Sequence, residues 1–428
     1  MKDMPGIKKI HMDGFTGALM AVESFDGTVA VLHGPGGCRN YHTFISSQCY
    51  PRMSPENFKK YSQKFLYWNP RMPCTYMDEN DYINGAESKI EEILPIVKDV
   101  HRGIAVFIQS PGASLIGDNI SDVIERLGYS DTALAIGESL ISQPFSSSYD
   151  HTVRSLIEWK RPKKKETRKG TVNILGLPIT TKAWADSLEE LKHMLALCGI
   201  EVITSPGAGC SVEDIDSSAE AEYNAMVCPE YGSRTAAFYE EKLGIHCIRS
   251  EAGAPVGFDA SEEWIKNICA AMGKDPSAAL KYIGKHRLRA FNTIDKLVYN
   301  QKTKGTRFAV MADSSVLLPL TKWLYSYLSM IPVFLEVEPG EDLNCMRSLD
   351  AFLDRAGLRG SLDRDIAKAE PYFVLADGHM SETLRLMGVC KAGVDLSAPD
   401  LSHFSFIPKP VMGALGSMYI LDEIFNSL

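Results

Sequence analysis

A short apolar run rich in β-branched residues, then a turn, then a helical stretch: this unit recurs along the chain and limits its fold more than any other feature. "GIAVFIQS" precedes "IGDNISDVIERLG", and "TVNILGLP" precedes "WADSLEELKHMLALCGI", which runs into "EVITS". "NAMVCP" precedes "RTAAFYEEKLGI", "TRFAVMAD" precedes "VLLPLTKWLYSYL" and then "IPVFLEV", and "PYFVLADG" precedes "SETLRLMG". Strands that are apolar on both faces and alternate with amphipathic helices predict an α/β fold of mostly parallel sheets wrapped by helices. Such sheets bind ligands beyond the carboxyl ends of their strands. Cys38, Cys228, Asp313 and Asp377 all fall at or just beyond such ends.

The 428 residues leave room for three domains of roughly 150 residues. Two charged stretches, "KRPKKKETRKG" (Lys160 to Gly170) and "NQKTKGTR" (Asn300 to Arg307), each stand before a fresh strand and divide the chain into 1–165, 166–303 and 304–428. The basic run reads as a solvated linker, with a docking patch for an acidic partner as the alternative. A net charge of −9, from 45 basic and 54 acidic residues, argues against a general affinity for nucleic acid. No apolar run is long enough for a membrane span, and the opening "MKDMPGIKKIHMDG" lacks the apolar core of a signal peptide, so a cytoplasmic protein with no membrane partner is expected. The ten cysteines contain no CxxC pair, which argues against a zinc ribbon or a thioredoxin-like dithiol. Neither GxGxxG nor a Walker A pattern stands at a strand end, and GxSxG and HExxH are absent.

The segment "VAVLHGPGGCRNYHTF" (Val29 to Phe44) puts a thiol, Cys38, just past a buried strand. Gly34, Gly36 and Gly37 allow a tight path and close approach to a bulky ligand, and Pro35 stiffens the turn. A thiol there can coordinate iron, attack a substrate or fill space, and spacing alone does not choose among these.

The segments that follow do. "HGPGGC", "CTYMDENDYINGAESKIEEI" and "VFIQSPGASLIGDNISDV" together resemble the N-terminal domain of the nitrogenase component 1 superfamily. The resemblance continues in order through "SQPFSSSYDHTV", "TVNILGLP", "AEAEYNAMVCPEYGSRTAAFYEEKLGI", "TRFAVMAD" and the closing "PVMGALGSMYILDEIFN". It implies three Rossmann-like domains, each a mostly parallel sheet flanked by helices, around a central cleft. It implies paired component 1-like subunits, alike or different, that take electrons from an ATP-dependent iron protein. It also implies an iron–sulfur cluster of the 4Fe-4S type where the subunits meet, and in some members a second metallocluster or a tetrapyrrole in the cleft.

Carried over by position, Cys38 matches the central cluster cysteine of the family. The first family cysteine falls near Met12–Asp13, where Asp13 offers an oxygen, and the third falls at Pro111, which offers no side-chain ligand. Cys74 and Cys49 are the nearby thiols that can substitute, so the resemblance implies a cluster on Cys38 and Cys74 with Asp13 or Cys49; the other reading makes Cys49 and Cys74 core residues. Cys228 in "MVCPEYG" matches the cysteine that anchors nitrogenase's catalytic cluster. His403, ten residues before Gly413, matches the imidazole at that cluster's opposite end. The pair implies a second metallocluster held by one thiolate and one imidazole. Gln143 meets a family glutamine in the cleft, but Ser147 and Ser46 stand where nitrogenase has a histidine and a basic residue, which argues against dinitrogen as substrate. Asp313 and Asp377 are candidate cleft-lining residues whose plainer reading is turn or helix-cap carboxylates, and Asp118 is expected to cap the helix after it. The expected function is an oxidoreductase subunit that reduces a small molecule or tetrapyrrole in the interdomain cleft. A non-catalytic metallocluster scaffold and a cluster-free small-molecule binder stay open on the sequence alone.

Overall fold

The computed structural model describes residues 9–51, 72–101, 103–136, 143–296, 304–362, 364–400 and 406–427. These residues form three sheets flanked by helices, the α/β class expected. The first sheet holds β1 (Thr28–His33), β2 (Ile104–Gln109) and β3 (Ala133–Ile136), in that order. The second, ordered β5-β4-β6-β7, holds β4 (Arg168–Leu175), β5 (Glu201–Val202), β6 (Ala221–Met226) and β7 (Cys247–Ile248). The third, ordered β11-β10-β8-β9, holds β8 (Arg307–Ala312), β9 (Ile331–Val337), β10 (Phe373–Asp377) and β11 (Ala392–Ser397). Every pairing among these strands is parallel, so a crossover, usually helical, must return the chain between partners.

Contacts gather the chain into two compact units: Met12–Lys163 with Pro206–Ser218, and Met1–His11 with Lys164–Ser205 and Ala219–Leu428. In the first of these, all six residues of β1 are buried. Val29 and Val31 join Ala105, Phe107 and Ala133 on one face, under Ile90, Leu94 and Val97 of the helix Glu87–Val100 and Val123 and Ile124 of the helix Ile120–Arg126. The spacing of residues 90, 94 and 97 lays one helical stripe on that face. In the same unit the helix α1 (Gly14–Glu23) is buried along its whole length and packs on the helix Phe145–Lys160. Gly17 permits that approach, because a Cβ there would lie 2.2 Å from the Phe145 carbonyl oxygen. In the other unit Ala309, Met311, Val374 and Ala376 pack with Val333, Met380 and Leu384 over the third sheet.

Three strands go unanticipated by the sequence: β3 ("ALAI") and β7 ("CI") are very short, and β11 ("AGVDLS") breaks its apolar run with glycine, aspartate and serine. The "EVITS" run contributes only two strand residues. Asp118 does not cap the next helix. Asn119 does, accepting from the Asp122 amide, while Asp118 accepts from the Ala86 amide at 3.1 Å and pairs with the buried His33 Nε2 at 3.0 Å. The basic run Lys160–Gly170 is mostly exposed, Pro162 being buried, and Lys165 and Lys169 pair with Glu220 and Glu222 at the start of β6. Among the described residues no helix is long and apolar enough to cross a membrane.

Gly17→Ala is expected to cost about 1–3 kcal/mol by forcing α1 off the neighbouring helix, read as a lower thermal unfolding midpoint. An unchanged midpoint would show that the contact yields without strain.

Candidate functional site

β1 ends at the fully buried His33, and helix α2 (Gly36–Cys49) begins three residues later, so Cys38 lies in the first turn of α2, half-buried. Gly34 is needed between them: a Cβ there would sit 2.4 Å from Ser110 Oγ, just past β2. Over Gly37, by contrast, nothing lies within 4 Å of where a Cβ would stand, so the backbone beside Cys38 is open. The segment around Cys74 runs alongside β1. Leu32 N–H donates to the Pro73 carbonyl at 2.8 Å, and Thr75 and Met77 N–H donate to the Leu32 and Gly34 carbonyls at 3.1 and 3.0 Å. This brings the Cys74 thiol to the turn, where it donates to the Gly34 carbonyl at 3.2 Å and accepts from Tyr76 N–H at 3.4 Å.

Asp13 is the N-cap of α1 and accepts from Thr16 N–H at 2.9 Å. Burial pushes the Cys38 thiol up, and the Asp13 charge adds to it. Burial pushes Cys74 up to about 11, with Cys38 adding and Arg39 and Lys89 opposing. The three sequence-predicted residues Asp13, Cys38 and Cys74 therefore lie within electrostatic reach, Cys38 in the middle. Cys49 is not brought there: it is the last residue of α2, about 16 Å along the helix from Cys38 at the usual rise. The Pro111 carbonyl accepts from Ser114 and leaves no side-chain donor in that position.

Sequence reasoning missed two residues at this turn, Thr16 and His42. His42 is four residues past Cys38 on one face of α2, and Thr16 is three past Asp13; those spacings were the available signal.

A second group of polar side chains collects where β6 and β8 end, within the larger unit. Cys228 is 2% exposed, just past β6. Glu230 reaches the start of the helix Ser314–Leu328, accepting from Ser314 Oγ at 2.5 Å and Ser315 N–H at 2.8 Å through Oε1. It thus caps that helix in place of Asp313, which holds the N-cap position without a side-chain cap bond. Asp313 instead accepts from the Tyr231 hydroxyl at 3.1 Å. Burial drives Cys228 and Asp313 well above their ordinary values, and the Glu230 charge raises both further. Glu230 and Tyr231 were legible only as neighbours of Cys228 in "MVCPEYG".

Beside them, Lys9 pairs with Glu338 and with Asp377 at 2.9 Å, and His11 lies 2.7 Å from Glu338 and 3.2 Å from Glu336. Burial would raise Glu338, yet His11 and Lys9 hold its carboxyl below the usual range. Asp377 also accepts from Met380 N–H at 2.8 Å, the helix-cap role that its plainer reading anticipated. Gln143 is exposed, and His403 lies outside the described residues. Among the described residues, no three His, Cys, Asp or Glu side chains converge as a single metal ion requires. A cluster of several irons presents its ligand positions at separate corners, so donors strung out as Asp13, Cys38 and Cys74 are remain compatible with one, in a turn whose backbone is open.

A family model described as nitrogenase component 1 type oxidoreductase matches residues 14–428. One of the subunits of the light-independent protochlorophyllide reductase of Trichormus variabilis is 22% identical over 96% of this chain and 81% of its own length. Its counterpart from a Synechococcus species is 24% identical over 71% of this chain, and there the match spans 56% of the relative. Among solved structures, nitrogenase Cp1 at pH 6.5 superposes with a TM-score of 0.77 at 16% identity, over 100% of this chain and 95% of that one.

The paired carboxylates Glu336 and Glu338 hold His11 protonated, raising it from 6.5 to about 9. A raised value in the folded state means stabilisation that is complete below pH 6.5 and lost as pH rises through about 9. His11→Asn should therefore lower the thermal midpoint most near pH 6, with the gap to wild type closing above about pH 9. A gap independent of pH would show that His11 acts by packing alone.

Proposed function

We propose that this chain, which belongs to the nitrogenase component 1 type oxidoreductases, is the subunit that carries electrons from an ATP-dependent iron protein to a small unsaturated substrate or tetrapyrrole. The observation that carries this reading is that Cys38, in the open turn past β1, lies within electrostatic reach of both Asp13 and Cys74.

In this reading Cys38 and Cys74 bind as thiolates and Asp13 through a carboxylate oxygen. Because burial holds both thiols protonated, loading releases their protons and is favoured at higher pH. An iron–sulfur cluster, when bound, supplies one-electron transfer with little rearrangement. Two thiols and one carboxylate leave one of four corners open, which suits completion by another component 1-like polypeptide, either a second copy of this chain or a different one. Tyr41, Phe44 and Tyr76, 54%, 46% and 52% exposed near the same turn, support a partner surface there.

Cys228 is assigned to a second metallocluster together with His403, or to the rim of the substrate cleft. Its supports are its place past β6 and the polar groups around it, the buried Tyr231 and Glu230 and the half-buried Asp313, which can orient a substrate and exclude water. The three-domain division at 1–165, 166–303 and 304–428, the cytoplasmic location and the cleft-lining roles of Gln143, Asp313 and Asp377 belong to the same proposal.

Purified without oxygen, the protein is expected to contain iron and acid-labile sulfide. Cys38→Ser should lose most of the iron of the first site, while Cys228→Ser should keep it. Full iron retention in Cys38→Ser, or no iron in the wild type, would end this reading. Iron with no reduction of any unsaturated substrate in the presence of an iron protein and ATP would favour a scaffold.

A further inference from the structure

Two candidate ligands of the first site, Asp13 and Cys38, are linked by a run of close polar contacts through Thr16 and His42. Thr16 Oγ1 donates to Asp13 Oδ1 at 2.7 Å. The same hydroxyl lies 3.0 Å from His42 Nε2, and His42 Nδ1 lies 2.6 Å from the Cys38 carbonyl oxygen. That carbonyl can only accept, so Nδ1 carries a proton and the ring orientation is set. His42 is 6% and Thr16 3% exposed, and the Phe15 ring stands edge-on to His42 with centroids 4.9 Å apart. The chain is thus shielded from water while its ends, Asp13 and Cys38, are not.

We propose that Thr16 and His42 are positioning residues that hold the Asp13 carboxylate and the Cys38 loop in one fixed geometry toward a shared iron–sulfur cluster. The proposal rests on the reading of Cys38 as a cluster ligand. Two features of the geometry point this way. Thr16 contributes both its N–H and its hydroxyl to the same oxygen, Oδ1, which directs Oδ2 to whatever lies beyond the helix end. And the single Thr16 hydroxyl proton stands between two acceptors, Oδ1 and Nε2. The hydroxyl can donate to only one of them at a time: while its proton is given to Oδ1, Nε2 meets the hydroxyl oxygen at 3.0 Å with no proton between them, and when a cation draws on the carboxylate the hydroxyl can turn to donate to Nε2. A helix cap alone needs only the Thr16 N–H bond. The continuation through the hydroxyl and a buried imidazole to the backbone of Cys38 exceeds that need, and outer partners of this kind orient metal ligands.

The test compares wild type, Thr16→Val, Thr16→Ser, His42→Phe and Cys38→Ser, all purified without oxygen in whatever assembly the chain forms. The readings are iron content, the EPR g-values and midpoint potential of the reduced cluster, and the rate of iron loss to a ferrous chelator. Thr16→Val and His42→Phe are expected to retain iron at first but to release it roughly 10–100-fold faster, with altered g-values. Thr16→Ser, which restores the hydroxyl, should return both readings to wild type. Wild-type g-values, potential and release rate in Thr16→Val and His42→Phe would overturn the positioning role while leaving the cluster assignment intact. Iron retention in Cys38→Ser would instead overturn the assignment beneath it. Should Thr16→Val fail to fold, Thr16→Ala removes the same hydroxyl without adding bulk and is read in the same way.

Discussion

Parallel strands buried on both faces are mostly apolar along their length, so polar groups gather chiefly where the strands end. Cys38, Cys228 and Asp313 follow β1, β6 and β8 within a few residues and Asp377 ends β10, while the buried Asn224 of β6 is satisfied within the sheet by Asn173 of β4 at 2.9 Å. The rule locates possible chemistry, but it does not decide what that chemistry is. The side chains that neighbouring segments bring to each strand end decide it.

The two polar sites resolve that question in opposite ways. Past β1 the turn is glycine-rich, open over Gly37, and supplied with two thiols and an exposed carboxylate. Past β6 and β8 the groups are enclosed. Glu230 closes a helix start, Tyr231 binds Asp313, and Lys9 stands between Glu338 and Asp377. Charge buried in this way is costly unless paired, and Lys9 and His11 are the cations that offset it at the third sheet. The first arrangement is suited to receiving a group from outside. The second is a closed network in which burial raises the Glu230 and Asp313 carboxyls above their ordinary range.

The chain belongs to the nitrogenase component 1 type oxidoreductases, and Cys38 and Cys228 both lie within the matched residues 14–428. At 22% identity to its protochlorophyllide reductase relative, the chain shares the family's frame while most of its residues differ. Asp13 and Pro111 stand where the resemblance led thiols to be expected, and Asp13 is held by Thr16, whose hydroxyl also meets His42.

The sequence by itself determined the α/β class, the sheet-forming runs with strong β-branched character and the strand-end positions of Cys38, Cys228, Asp313 and Asp377, because burial on two faces writes itself directly as unbroken apolar runs. β9, "IPVFLEV", was legible to the residue for that reason. β3, β7 and β11 were not, because β3 and β7 are very short and β11 interrupts its apolar residues with glycine, aspartate and serine, so their conformation owes more to the neighbours they pair with. Only the tertiary structure decided that Cys74 joins Cys38 while Cys49 lies a helix-length away. It likewise revealed that Glu230 rather than Asp313 caps a helix, and that Asp118 serves His33. Each of these depends on segments far apart in the chain meeting in space, and no local spacing encodes which donor an acceptor will find there.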